Sequence, residues 1–243
     1  EDLMQVQEWP SVPFSVHLVP IGSNIPLLPP SAYDRHAWRE RSGYDHDAFL
    51  WAYFGFLNES KGGETLIRAL AASPANHRLL MIGDRVGSSD PSNRAYAGRV
   101  QDLISELDLE DRVRWTGYLS KTDVSAALLG ADIVVLPYRD GISFRRGSLH
   151  AALLHGRPVV STYPNVPLPE LRDAENVLLV RREDSQAVRD AAVRLARDPE
   201  LRQRIGAGAR ELATQFTWDR IAERTVQEVM RPAVEAHGEI STH

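Results

Sequence analysis

Residues 49–215 alternate short apolar runs with amphipathic stretches, and few folds accept that rhythm. The runs are apolar at every position: LLMI at 79–82, IVVL at 133–136, VV at 159–160 and VLLV at 177–180. A strand of that kind must be covered on both faces. The intervening segments have helical spacing, with Leu66, Ile67 and Leu70 on one face, and Val100, Leu103, Ile104 and Leu107 on another. Doubly buried strands in succession with helices specify a parallel sheet between two helical layers. The expected fold is therefore α/β, a doubly wound, mainly parallel, Rossmann-like sheet followed by C-terminal helices.

Strands are expected over 16–19, 49–57, 79–82, 113–116, 133–136, 159–160 and 177–180. Helices are expected over 34–41, 64–72, 96–107, 123–129, 149–155, 185–197, 199–214 and 218–230. Pro26, Pro29 and Pro30 make an extended linker, a Gly/Ser/Asp/Pro loop occupies 87–93, and the tail after Pro232 is polar. In such folds ligands lie beyond the carboxyl ends of the strands, at helix N-termini.

Several function classes drop out. The 243 residues contain no cysteine, so there is no disulfide framework, thiolate nucleophile or cysteine metal site. Against 28 Lys and Arg stand 33 Asp and Glu, and that net −5 argues against a protein built to coat nucleic acid. No apolar run approaches the roughly 20 residues of a membrane span, and no signal peptide is visible. The expected location is cytoplasmic. No G-x-G-x-x-G, Walker loop, H-E-x-x-H or G-x-S-x-G occurs. His150 and His155 are five apart on a short helix, a poor metal spacing.

Two strand-to-helix loops carry cations where a helix disfavours them. In the first, GFLNESKGG at 55–63, the chain leaves a strand at Gly55 and enters a helix, with Lys61 expected in the first helical turn. A helix N-terminus already bears partial positive charge, so an anion held between Lys61 and the free amides would remove the conflict. In the second, DGISFRRGSL at 140–149, Arg145 and Arg146 precede a helix. Gly147 there allows close backbone approach, and Ser148 offers a hydroxyl. Arginine forks suit phosphate oxygens, so the three cations describe a pyrophosphate clamp. The bland alternatives are a solvated lysine and two arginines paired with surface carboxylates. A third loop, Gly117 and Tyr118 after the strand over 113–116, could frame a flat base.

At these residues the chain resembles the C-terminal, donor-binding half of GT-B-fold retaining glycosyltransferases of the large family 4, group 1. VPIGSN at 19–24 is similar to the strand and turn that open that half. Residues 54–63 resemble its "GRL…KG" loop, and ADIVVLP at 131–137 its "aDi.v.PS" strand. Residues 151–162 with GRPVV resemble "EAmA.G.PVV.t", and Phe216-Thr217-Trp218 the "FsW" before the last helix. The departures are Phe56 for an arginine, and Ser143 and Ala151 for a pair of glutamates. A subgroup carries S-x-RRGSL here, as this chain does.

The resemblance implies that a nucleotide diphosphate sugar is bound as substrate, with no cofactor and no metal. Lys61, Arg145 and Arg146 would act on the departing diphosphate. Gly55, Gly117, Tyr118, Gly147, Ser148 and Leu149 would complete the donor site. It further implies three parts: residues 1–15 as a remnant or linker of an absent N-terminal acceptor domain, 16–215 as the donor domain, and 216–243 as the crossing helix and tail. The chain begins with Glu1, not Met, which fits an expectation that it is a fragment inactive without that domain. If the last helix swaps between copies, a homodimer results. The alternative is a non-catalytic nucleotide-sugar-binding or regulatory subunit. A GT-B-fold epimerase fits less well, because its histidine and carboxylate set is not evident.

Overall fold

The computed structural model describes residues 19–84 and 91–230. The strand expected over 16–19 lies outside them except for Val19, which is in no strand. Residues 1–15, the loop residues 87–90 and the tail beyond 230 also lie outside the described residues.

Six strands form one sheet: β1 (Phe49–Phe54), β2 (His77–Ile82), β3 (Val113–Trp115), β4 (Ile133–Leu136), β5 (Val159–Thr162) and β6 (Leu178–Val180). Their order is β3-β2-β1-β4-β5-β6, and all the neighbours run parallel. The chain winds outward from β1 to β3, then returns to the other side of β1. The winding direction thus reverses between β1 and β4, which opens a crevice at their carboxyl ends. Leu50, Trp51, Ala52 and Tyr53 of β1, and all four residues of β4, are wholly buried. This is why their sequence lacks a polar face.

Eight helices flank the sheet among the described residues: α1 (Arg35–Arg41), α2 (Gly63–Ala71), α3 (Pro91–Glu106), α4 (Lys121–Gly130), α5 (Gly147–Leu154), α6 (Ser185–Arg197), α7 (Pro199–Ala213) and α8 (Trp218–Thr225). Helix α2 packs on α3 and α6, α5 on α7, and α1 on α4. Three boundaries differ from expectation in ways that matter. Strand β1 stops at Phe54 rather than 57, because Gly55 turns the chain at φ 115°. Helix α5 starts at Gly147, two residues before the first inward apolar side chain, Leu149, that marks it in the sequence. The last helix keeps α geometry only to Thr225 and continues as a π turn, Val226–Met230.

Asp132 fastens the amino end of the sheet. Its Oδ2 accepts from Leu50 N at 2.7 Å and Arg39 Nη2 at 3.1 Å, and its Oδ1 from Arg35 Nη2 at 2.6 Å. Arg35 and Arg39 are one turn apart on α1, so a single carboxylate joins that helix to β1 and the start of β4. Removing one partner of a buried pair leaves a desolvated charge behind. Asp132→Ala is expected to cost about 3 kcal/mol or more in urea unfolding; a loss below about 1 kcal/mol would show that this node is unimportant.

Candidate functional site

The loops leaving β1 and β4 meet at the reversal point. After β1 the chain forms a 3-10 turn, Glu59–Lys61, and then Gly62 in the left-handed region at φ 69°. Lys61 therefore precedes α2 rather than sitting in its first turn as expected. A Cβ on Gly62 would lie 2.0 Å from the Pro137 carbonyl oxygen, so only glycine lets the two loops approach this closely. Arg139 N then donates to Ser60 O at 2.8 Å and joins the loops through the backbone.

This contact brings Lys61 and Arg146 together. The Lys61 ammonium stands 3.0 Å from where a Gly55 Cβ would be. Among the described residues it has no hydrogen-bond or ion-pair partner. Burial, and next the charge of Arg146, pull its pKa down to about 8. Arg146 stacks its guanidinium 4.8 Å above the Tyr138 ring, pairs with Asp140 and reaches Ser60 Oγ at 3.5 Å. Its side chain is only 19% exposed. Arg145, its neighbour, is exposed.

Helix α5 begins directly after these arginines, with Arg146 at the cap position and no side-chain cap. A helix start without a cap leaves amides open to an anion. Leu149 is not among them: its N–H donates to Arg146 O at 2.9 Å, and its side chain is wholly buried. The open amides are those of Gly147 and Ser148. Gly147 has an ordinary φ, and a Cβ there would meet nothing within 4 Å. The protein thus leaves space above Gly147 without needing glycine for its own fold. The Ser148 hydroxyl hydrogen-bonds the Tyr138 hydroxyl at 2.8 Å. Burial pushes Tyr138 up to about 12, so it stays a neutral phenol.

Gly117 and Tyr118 follow β3, two strands from β1, which is about 10 Å across the sheet edge. Gly117 has φ 65° and bridges to Gly83 at the end of β2. Tyr118 is 84% exposed, with its ring free to meet a ligand. His150 plays a packing part instead: it is 2% exposed, its Nε2 bonds Phe144 O at 2.7 Å, and it lies against Phe144 and Phe216. His155 is likewise buried, bonded to Ala151 O and Ser125 Oγ. Among the described residues, no three His, Asp or Glu converge as metal ligands, and no helix is long and apolar enough to cross a membrane.

Sequence reasoning missed Tyr138, Asp140 and Ser60, which orient Arg146. Nothing in the LPYRDG stretch marks Tyr138 as a platform, because its partner arrives from eight residues further on. Missed too is Arg139, which bridges Glu59 at 2.6 Å and Glu183 at 2.8 Å across the rim.

Two outcomes follow from the geometry. Gly62→Ala is expected to destabilise by about 2–4 kcal/mol in urea unfolding, from left-handed strain and the carbonyl clash; an unchanged midpoint would deny the close approach. Lys61, followed by NMR, is expected to titrate near 8 in the ligand-free chain and to rise when inorganic pyrophosphate is added. The sign is fixed: a depressed lysine pKa penalises the fold fully below pH 8, and the penalty fades as pH rises from there towards 10.5.

The fold as a whole is similar to that of known proteins. A model described as "Glycosyl transferases group 1" matches residues 48–198. A D-inositol 3-phosphate glycosyltransferase of Saccharomonospora viridis is 29% identical over 235 residues, covering 95% of this chain and 53% of that protein. The chain thus spans about half the length of the curated relatives it matches. Sucrose-phosphate synthase from Thermosynechococcus elongatus superposes with a TM-score of 0.76 at 27% identity, over 97% of this chain and 57% of that one. HepE from Anabaena, solved in complex with UDP and glucose, gives 0.75 at 23% identity, over 86% and 55%. The fold is that of one half of a GT-B glycosyltransferase. With the family match running from the first residues before β1 to the end of α6, the chain belongs to the group 1 glycosyl transferases.

Proposed function

We propose that this chain is the donor-binding half of a retaining glycosyltransferase. It holds a nucleotide diphosphate sugar and does not transfer the sugar without an acceptor domain. The observation that carries the reading is the pairing of Lys61 and Arg146 beside the uncapped start of α5, with the space above Gly147 left open. Asp140 offsets only part of Arg146, so Lys61 held beside it in a partly desolvated crevice is unfavourable until a further anion joins them. The complex of HepE with UDP and glucose supports the choice of a nucleotide diphosphate sugar.

In this reading the diphosphate lies between Lys61, Arg145, Arg146 and the amides of Gly147 and Ser148. The base reaches along the sheet edge to Gly117 and Tyr118. As the bond from the sugar's anomeric carbon to the diphosphate oxygen breaks, the electron pair stays on that oxygen, the carbon bonds to an acceptor hydroxyl oxygen, and the hydroxyl proton leaves with the diphosphate. The cations and amides stabilise the charge there, in a site already arranged for it. Tyr138 and Asp140 keep the Arg146 fork aimed, so little reorganisation accompanies bond cleavage. The mechanism requires neither a metal nor a cofactor, because the protein's own cations balance the leaving group.

A non-catalytic nucleotide-sugar-binding subunit is the second reading. It is favoured by Ser143 and Ala151, which stand where related donor sites carry glutamates. Joining the chain to an acceptor domain separates the two: transfer with retained anomeric configuration, read by NMR of the product, supports the enzyme. Binding without any transfer supports the subunit.

Calorimetric titration with UDP-, GDP- and ADP-glucose is expected to show binding of at least one. Lys61→Ala and Arg145→Ala should each weaken it by about 1–3 kcal/mol. Gly147→Ala should leave stability unchanged and weaken binding, because its methyl would occupy ligand space only. A folded chain that binds none of the three sugars would defeat the proposal.

A further inference from the structure

The opposite edge of the sheet carries a second concentration of cations. A cavity of about 700 Å³ opens there, lined in part by Arg35, Arg157, Arg202, Arg210, Asp132 and Glu211. Asp132 immediately precedes β4, and Arg157 stands just before β5, so the cavity lies at the amino ends of these strands. Residues 132–137 run the length of β4 to the other crevice, about 17 Å for an extended chain.

Four guanidiniums face two carboxylates, and the balance is more uneven than that ratio. Asp132 is already saturated by Arg35, Arg39 and Leu50 N. Arg157 is held by carbonyls alone: Leu129 O at 3.2 Å, Ala131 O at 3.0 Å and His155 O at 3.3 Å. Arg202 donates to Leu195 O at 2.5 Å and Ala196 O at 3.4 Å, in the last turn of α6. Arg210 is exposed, lies over Gly156, and makes no hydrogen bond or ion pair among the described residues. None of these three has a carboxylate partner there, and Glu211 is the one acidic side chain left to offset them. Burial, and next the charge of Arg35, lower the pKa of Arg157, and Arg210 adds to the effect. Like charges gathered in a concave, partly desolvated site are unfavourable until a counter-ion enters.

We propose that this cavity binds a doubly charged phosphate monoester of metabolite size, at a site separate from the crevice at the carboxyl edge. The excess of two guanidiniums matches a charge near −2. Arginine forks match the phosphate oxygens, and the volume lies in the range of small-molecule sites. The monoester could be a free metabolite or a lipid headgroup, and both present the same chemistry.

The test titrates the full chain with glycerol 3-phosphate and follows the backbone amides of Gly156, Ala207 and Arg210 by NMR. The same titration is run on Lys61→Ala, which weakens the other anion site, and on Arg210→Gln, whose side chain supports no other residue. Saturable shifts at these amides are expected in wild type and in Lys61→Ala, with affinity about tenfold lower in Arg210→Gln. Phosphatidylcholine vesicles with and without phosphatidic acid separate the two sources. Co-sedimentation that needs both phosphatidic acid and Arg210 assigns the site to a headgroup, and shifts without co-sedimentation assign it to a soluble ester. The proposal is overturned by no shifts and no co-sedimentation, by equal affinity in Arg210→Gln, or by binding that disappears in Lys61→Ala.

Discussion

The site depends on one close contact, Gly62 against the Pro137 carbonyl. A parallel sheet sets β1 and β4 side by side, but strand spacing alone does not bring their loops together. The missing side chain at Gly62 does so, and the Arg139–Ser60 hydrogen bond locks the result. Lys61 then comes to the same side of the crevice as Arg146. Any larger residue at 62 would push the 3-10 turn outward and part the two cations. Glycine at this position is thus a requirement of assembly rather than of chain flexibility.

The charge pattern of the crevice is that of a protein prepared for an anion. Asp140 offsets part of Arg146, and Tyr138 supports its guanidinium face, yet Lys61 lacks a counter-charge among the described residues. Its pKa is depressed by burial first and by the charge of Arg146 second. The start of α5 adds partial positive charge from the same direction. A fold optimised for stability alone would place a carboxylate here. Instead the Glu59–Arg139–Glu183 bridge puts carboxylates at the rim, where they hold Arg139 and leave the interior positive.

Asp132 plays the complementary part at the other edge. It ties α1 to the amino ends of β1 and β4, so the two central strands are fixed at both ends. The sheet therefore separates a cationic crevice at its carboxyl edge from a cationic cavity at its amino edge. A chain covering about half of its curated relatives presents both features within one folded unit.

Much of this was readable from sequence. Wholly apolar runs such as 133–136 are too short for helices and read as doubly buried strands, and their alternation with amphipathic helices points to the parallel doubly wound sheet. Lys61, Arg145 and Arg146 stood out because cations oppose the helix dipole, which is a local effect. Boundaries were less legible: Gly147 and Ser148 open α5 without an apolar residue to announce them. Tertiary structure alone decided that Lys61 and Arg146 meet, that Leu149's amide is already bonded and that His150 packs against Phe216. It also gathered Arg35, Arg157 and the α7 pair Arg202 and Arg210 from three separate segments. The physical reason is distance along the chain. Periodicity and dipole effects act within a few residues and leave a trace in sequence, whereas the position of a charge relative to another 85 or more residues away is set by strand order and by which side chain is small enough to let two loops touch.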